Sequence, residues 1–348
     1  MVKQASIAAG QKSTVASQSV PLAAMRAIVA ESADQLTWQE VPDISPGSGE
    51  VLIKVSAAGV NRADVLQAAG NYPPPPGASQ IIGLEVSGTI VEVGGEVEQW
   101  TIGQQVCGLL AGGGYAEFVA VPAGQVMPIP DGVPLHHAAG LPEVACTVWS
   151  NLMMTARLAA GQLLLIHGGA SGIGTHGIQV ARALGARVAV TAGPQNKLDL
   201  CAELGAEITI GYRDEDFVER VRGEGGADVI LDIMGAAYLD RNVDALAADG
   251  RLVIIGMQGG VKGELNLGKL LVKRAGVIAT ALRSRPVSGP GGKSEIVAEV
   301  VANVWPMIAD GQVRPIIGAE FPIEQARAAH ELLVSGEVSG KIVLRVAD

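Results

Sequence analysis

Three features of the sequence predict an α/β fold built around a doubly wound parallel sheet, with a second, β-rich domain that the chain leaves and later rejoins. Residues 163–177 (Leu163-Leu-Leu-Ile-His-Gly-Gly-Ala-Ser-Gly-Ile-Gly-Thr-His-Gly177) pass from an apolar strand into a glycine turn and then a helix. Gly172, Gly174 and Gly177 stand there in the G-x-G-x-x-G order of a dinucleotide-binding unit. Strand-like and helix-like segments alternate from about residue 145 to residue 281, as βαβ units require. Short alternating strands with glycine turns come before, and a strand-like tail comes after. A chain of 348 residues has room for two domains, and 46 glycines with 3% aromatics suit an α/β protein with many tight turns.

The elements follow in order. Residues 1–24 are rich in Ala, Ser, Gln and Val, carry Lys3 and Lys12 and no acid, and lack the arginines and amphipathic period of a presequence. They are expected to be a disordered extension whose removal leaves activity intact. Strand periodicity begins at residues 25–29 and recurs at 51–55, 86–93 and 115–121, which predicts a barrel-like or sandwich-like domain. Six parallel strands are expected at 163–166, 187–191, 207–210, 229–232, 252–255 and 276–280, and residues 178–184 read as the first crossover helix. Past the Pro/Gly-rich stretch 284–292, a helix from 294 to about 308 leads to a final strand at 341–345. That strand is expected to return to the first domain. The domains then run 25–146 with 288–348, and 147–287.

In an NAD-selective site an acid about 20 residues beyond the glycine turn bonds the ribose 2′-hydroxyl. Residues 191–197 (Thr191-Ala-Gly-Pro-Gln-Asn-Lys197) contain no acid and end in lysine. A carboxylate would repel a 2′-phosphate and an ammonium attracts it, so NADPH is the expected cofactor. Lys197 as an ordinary solvated helix lysine is the plainer alternative. The net charge of −10 disfavours a nucleic-acid surface, and no apolar run is long enough to span a bilayer. Three widely separated cysteines form no disulfide framework and fit a reducing compartment, so the cytoplasm is the expected location.

Several motifs together resemble the medium-chain dehydrogenase/reductase superfamily. They are Gly59-Val-Asn-Arg-Ala-Asp64, Gly83-Leu-Glu-Val-Ser-Gly88, Gly113-Gly-Tyr-Ala-Glu-Phe118, Ala139-Gly-Leu-Pro142 and Ser339-Gly-Lys-Ile-Val343. The resemblance covers the chain from Met25 onward and implies a GroES-like catalytic domain around a Rossmann domain. Within the superfamily, Asn71-Tyr-Pro-Pro-Pro-Pro-Gly-Ala-Ser79 and Leu282-Arg-Ser-Arg285 resemble the zinc-free, tumour-suppressor-inducible quinone reductase branch, whose members use NADPH. Zinc members hold their metal with a Cys in the first motif, a His in the second and a third Cys or Glu. Here Asn61-Arg-Ala-Asp64 lacks the Cys, Leu84 replaces the His, and Glu143 alone occupies the third place. Neither the adjacent His136 and His137 nor His167 and His176 have a partner at zinc-site spacing. No metal is expected.

Without a Lewis acid the substrate must accept hydride unaided, which suits quinones and activated enones. Tyr72, ahead of four prolines, is the candidate proton donor, or else the anchor of that loop. Asn61 is either a hydrogen-bonding group at the nicotinamide ribose or a turn cap. Ser171 is a helix cap, a phosphate contact, or both. The resemblance places all three near the nicotinamide. By position it also implies cofactor contacts from Gly169, Ala170, Gly172 and Ile173 in the turn, and from Thr147, opening the helix that joins the domains. Gly193, Lys197 and Tyr212 are expected beside the 2′-phosphate, and Gly256, Met257, Leu282 and Arg283 at the nicotinamide end. Pro194, where the branch often has serine, removes a hydroxyl and an N–H from the phosphate site.

Residues 276–282 are expected to form an apolar edge strand, and in the family such edges pair across a twofold axis, which implies a homodimer. Competing readings are an NADPH-dependent enone or 2-alkenal reductase and a non-enzymatic NADPH-binding protein of the crystallin or RNA-binding kind.

Overall fold

Strand pairing in the computed structural model, which describes residues 24–347, explains how the chain divides. The expectation for the leader lies outside these residues, Ala24 excepted. β1 (Met25–Ser32) and β2 (Gln35–Val41) form an antiparallel hairpin. β3 (Glu50–Val60) starts a larger sheet and runs straight into α1 (Arg62–Ala68). β4 (Glu85–Val93), β5 (Gln105–Leu109), β6 (Phe118–Pro122) and β7 (Val126–Pro128) extend that sheet. The strand expected at 115–121 begins later, because the backbone of buried Tyr115 bonds to Ile82 and Ile28 instead. α2 (Leu135–Ala138) and α3 (Pro142–Trp149) lead out of the domain, and α3 continues into a π-helical turn, Ser150–Thr155.

The middle of the chain alternates strand and helix. β8 (Leu163–His167), α4 (Gly172–Ala183), β9 (Arg187–Ala192), α5 (Gln195–Leu204) and β10 (Ile208–Gly211) make one half. α6 (Phe217–Gly223), β11 (Ala227–Asp232), α7 (Leu239–Ala245), β12 (Leu246–Ile254), α8 (Leu267–Lys273) and β13 (Gly276–Ala279) make the other. All six strands are parallel, in the order β10-β9-β8-β11-β12-β13. β8 is buried throughout: Leu164 and Ile166 enter one core and Leu163 and Leu165 another, as a strand covered by helices on both faces requires. Strand order reverses between β8 and β11, and ligands of such sheets bind beyond the carboxyl ends at that point.

α9 (Lys293–Ala309), β14 (Ile317–Pro322), α10 (Ala326–Ser335) and β15 (Lys341–Arg345) complete the chain. β15 pairs antiparallel with β3 and parallel with β14, so a seven-stranded sheet joins both ends of the described chain. Two further expectations are corrected. α4 starts at Gly172, inside the glycine turn, because Ser171 caps it there. The edge strand expected at 276–282 ends at Ala279: the Thr280 hydroxyl bonds Asn151 Oδ1 at 2.6 Å and Leu282 turns into the core. Among the described residues no helix is long and apolar enough to cross a membrane.

Candidate active site

β8 delivers its carboxyl end to Gly168, whose φ of +76° turns the chain sharply. The tight turn therefore belongs to Gly168, and Gly172 has a different role. A Cβ on Gly172 would lie 2.5 Å from the Cδ of Lys341, and one on Gly174 would run into the carbonyls of Gly168 and Gly169. Ser171 Oγ accepts from the Gly174 N–H at 3.1 Å, so its capping role is realised. Gly169 lies against Val190 of β9, Ala170 is buried, and Ile173 packs on the main core. The first turn of α4 is thus a cradle of close-set backbone with free N–H groups, which fits a dinucleotide pyrophosphate. The C-terminal segment closes over it: Gly340 N–H donates to Ala170 O at 2.8 Å, and Ser171 bridges Gly340.

Behind that turn lies a buried polar cluster. The Lys341 ammonium donates to Val60 O at 3.0 Å and to Asn61 Oδ1 at 2.7 Å, and pairs with Glu85 Oε1 at 2.6 Å. Asn61 Nδ2 donates to the same Glu85 oxygen at 2.8 Å, and the Glu143 N–H donates to Glu85 Oε2 at 2.8 Å. The Asn61 side chain is therefore held within the protein on both its oxygen and its nitrogen. Asp64, fully buried in α1, accepts from Asn61 N–H at 2.8 Å and from Tyr115 Oη at 3.3 Å. Burial pushes its carboxyl up to about 7, against the backbone bond from Asn61 and the charge of Lys341. Glu143, largely buried in the first turn of α3, is pushed up to about 8 by burial and by negative Glu85, against the pull of Lys341. Burial thus favours the neutral form of the Glu143 carboxyl.

These donors do not suit zinc. Leu84 is buried and offers no ligand, the Asn61 amide is engaged, and Glu85 Oε1 already holds an ammonium.

A third group spans the two domains. The buried Arg283 donates from Nε to Ala111 O at 2.8 Å, from Nη1 to Tyr72 O at 3.3 Å and from Nη2 to Gln67 Oε1 at 2.6 Å. Its guanidinium lies 5.2 Å from the Tyr72 ring centroid. Tyr72 and Arg283 are brought together, with Arg283 anchoring the Tyr72 loop. Burial raises the Tyr72 phenol above its ordinary range, and Glu143 adds to that against Arg283. Leu282 is a core residue.

At the ends of β9 and β10, Gly193 and Tyr212, two of the three residues expected around a 2′-phosphate, lie close, and the Lys197 side chain turns to the segment after α10. A Cβ on Gly193 would meet the Tyr212 hydroxyl at 3.2 Å, and Pro194 opens α5 without a side-chain cap. Lys197 Nζ donates to Val338 O at 3.0 Å and to Gly336 O, the carbonyls just beyond α10. Beyond β11, Asp232 accepts from the Met234 and Gly235 N–H groups, both at 2.8 Å, and holds the turn against which Gly256 packs. Met257 is 59% exposed there. Thr147 does not open a helix: Pro142 occupies the first helical position of α3, where its missing N–H costs nothing, and Thr147 lies in the last turn with its carbonyl bonded to Asn151. Lys341, Glu85, Asp64 and Asp232 were not among the expected site residues. Lys341 and Glu85 lie inside quoted motifs, but their pairing is a tertiary contact.

A family profile described as "Alcohol dehydrogenase GroES-like domain" matches residues 47–131, and one described as "Zinc-binding dehydrogenase" matches residues 172–295. The quinone oxidoreductase of Rattus norvegicus is 30% identical over 306 residues, 86% of this chain and 90% of its own length. Escherichia coli quinone oxidoreductase, solved in complex with NADPH, has a TM-score of 0.82 at 27% identity, covering 92% of this chain and 99% of that one. CurK enoyl reductase has a TM-score of 0.82 at 26% identity, covering 93% and 100%. Fold and site together define a nicotinamide-dependent oxidoreductase. The chain belongs to the medium-chain dehydrogenase/reductase superfamily, and within it is quinone-oxidoreductase-like.

Proposed function

We propose that this protein reduces quinones with NADPH and without a metal ion. The carrying observation is the Lys341–Glu85–Asn61 cluster, which puts a fixed ammonium and a saturated carboxylate where zinc relatives have ligands. Bound NADPH supplies the hydride. The turn at residues 168–174 holds the pyrophosphate on free N–H groups. Gly193, Lys197 and Tyr212 receive the 2′-phosphate, beside a strand end, residues 191–197, that carries no acid. Tyr72, oriented by Arg283, lines the acceptor side. Reduction to the hydroquinone needs one proton beside the hydride, which the Tyr72 hydroxyl or the Glu143 carboxyl is chemically fit to donate. Gly256 and Met257 border the nicotinamide end.

The partner surface follows from exposure. β13 is the edge strand of its sheet, and Val261, Leu267, Leu271 and Val272 expose large apolar side chains in the segment just before it. A second copy of the chain, pairing edge to edge, would cover them.

A second reading, reduction of an enone, is favoured by the likeness to CurK enoyl reductase and uses the same hydride geometry. The test is NADPH and NADH oxidation by chelator-treated protein against ortho-quinones, para-quinones and enones. Quinone-dependent oxidation that prefers NADPH and survives chelation is expected. Turnover of enones alone selects the second reading, and loss of activity rescued by zinc ends the metal-free one.

A further inference from the structure

We propose that His136, His137 and Glu320 form a binding site for one divalent transition-metal ion of the zinc class, at the surface where α2 meets the edge strand β14. This site lies apart from the oxidoreductase cluster and does not depend on the proposed reaction.

The chain has five histidines. His167, His176 and His330 are buried, and so are all three cysteines. The remaining two imidazoles are sequence neighbours, about a third exposed, and converge on one carboxylate. His137 Nε2 lies 2.9 Å from Glu320 Oε1 and His136 Nε2 lies 3.9 Å from the same atom. The rings stand 4.4 Å apart at 68°, and the three ligand atoms all lie within 4.8 Å of one another. Successive helix residues diverge by about 100°. Two of them reach one oxygen only where that oxygen lies between them. A His–Glu hydrogen bond accounts for His137 and leaves His136 unexplained.

Tetrahedral zinc with ligands at about 2.0–2.1 Å sets them roughly 3.4 Å apart. Small side-chain rotations close the observed spacing to that value. Imidazole and carboxylate together suit zinc, nickel or copper, and three protein ligands leave a place for water. The supports are firm. α2 is pinned by His137 N–H donating to Pro134 O at 3.0 Å, and Glu320 is held in register opposite Val343 of β15. Arg345 faces the other oxygen of Glu320 at 3.9 Å and so turns Oε1 towards the rings. An ion here would link residues 183 positions apart in sequence and resist unfolding of the sheet edge.

The test titrates chelator-stripped full-length protein with Zn2+ and Co2+. Expected are one equivalent bound per chain, a raised thermal midpoint, and visible Co2+ bands of tetrahedral intensity. His136→Ala, His137→Ala and Glu320→Gln should each weaken binding by at least about tenfold. Wild-type affinity in all three variants, or no saturable binding, overturns the site. Should a variant fail to fold, the wild-type protein still decides. Co2+ should broaden the imidazole NMR signals of two histidines and spare the other three; broadening of none, or of the buried three, overturns the site.

Discussion

The Lys341 ammonium has three N–H bonds and three acceptors within 3.0 Å, so no donor is left over. Removing one partner of such a buried pair strands the other, which costs about 3–5 kcal/mol. Lys341→Met should therefore lower stability by about that amount, and adding Glu85→Gln should restore part of it; denaturant midpoints measure both. Lys197 is a different case, because its carbonyl contacts also give it a structural role. Lys197→Ala should raise KM for NADPH by at least about tenfold, the worth of a charged hydrogen bond, and leave KM for NADH nearly unchanged. Equal effects on both cofactors would reduce Lys197 to a tie between α5 and the end of α10. Neither lysine's contacts were legible in sequence. Lys341 reaches Glu85 and Lys197 reaches Val338 only after the C-terminal segment has docked, and local patterning carries no trace of that.

At the scale of elements the alternation of strand and helix was readable, because each buried parallel strand is a short apolar run between glycine or capping residues. Ends were less readable. The sequence does place Pro142 where it starts α3, yet Thr147 looked like the opening residue; and Thr280 leaves β13 for a side-chain bond that no strand pattern announces. The exposed edge makes its own prediction. Leu271 is 79% exposed, so Leu271→Glu should change monomer stability by no more than about 0.5 kcal/mol. In the proposed dimer it would bury a charge, and light scattering after size exclusion should show a shift towards monomer. An unchanged assembly would place the contact elsewhere.

For the molecule as a whole, buried titratable groups set the response to pH. Burial holds His167, His176 and His330 at about 4 each, below the ordinary 6.5. Between those values the unfolded chain binds protons that the folded one does not, so their stability is present above 6.5 and lost as pH falls towards 4. Asp64 and Glu143 have the opposite sign. Their folded values of about 7 and 8 exceed the ordinary carboxylate range, so their contribution is present below about 4 and lost as pH rises through 7 and 8. The histidines therefore oppose the buried carboxylic acids up to the ordinary histidine value, and beyond it the acids act alone to lower stability. Denaturant unfolding across pH should show stability falling more steeply above 6.5, the value at which the histidine contribution is complete. Asp64→Asn should flatten the alkaline side; an unaltered slope there would remove Asp64 as its cause.

The pairing of β15 with β3 also has a consequence in time. Lys341 bonds the carbonyl of Val60 across 281 residues of chain. At a synthesis rate of about 5–20 residues per second, the open side of β3 waits on the order of 15–60 s for its last neighbour. The nucleotide-binding sheet has all six strands made by residue 279 and can fold on the ribosome during that wait. The first domain cannot, and its unpaired strand is exposed to other nascent chains until the final segment emerges.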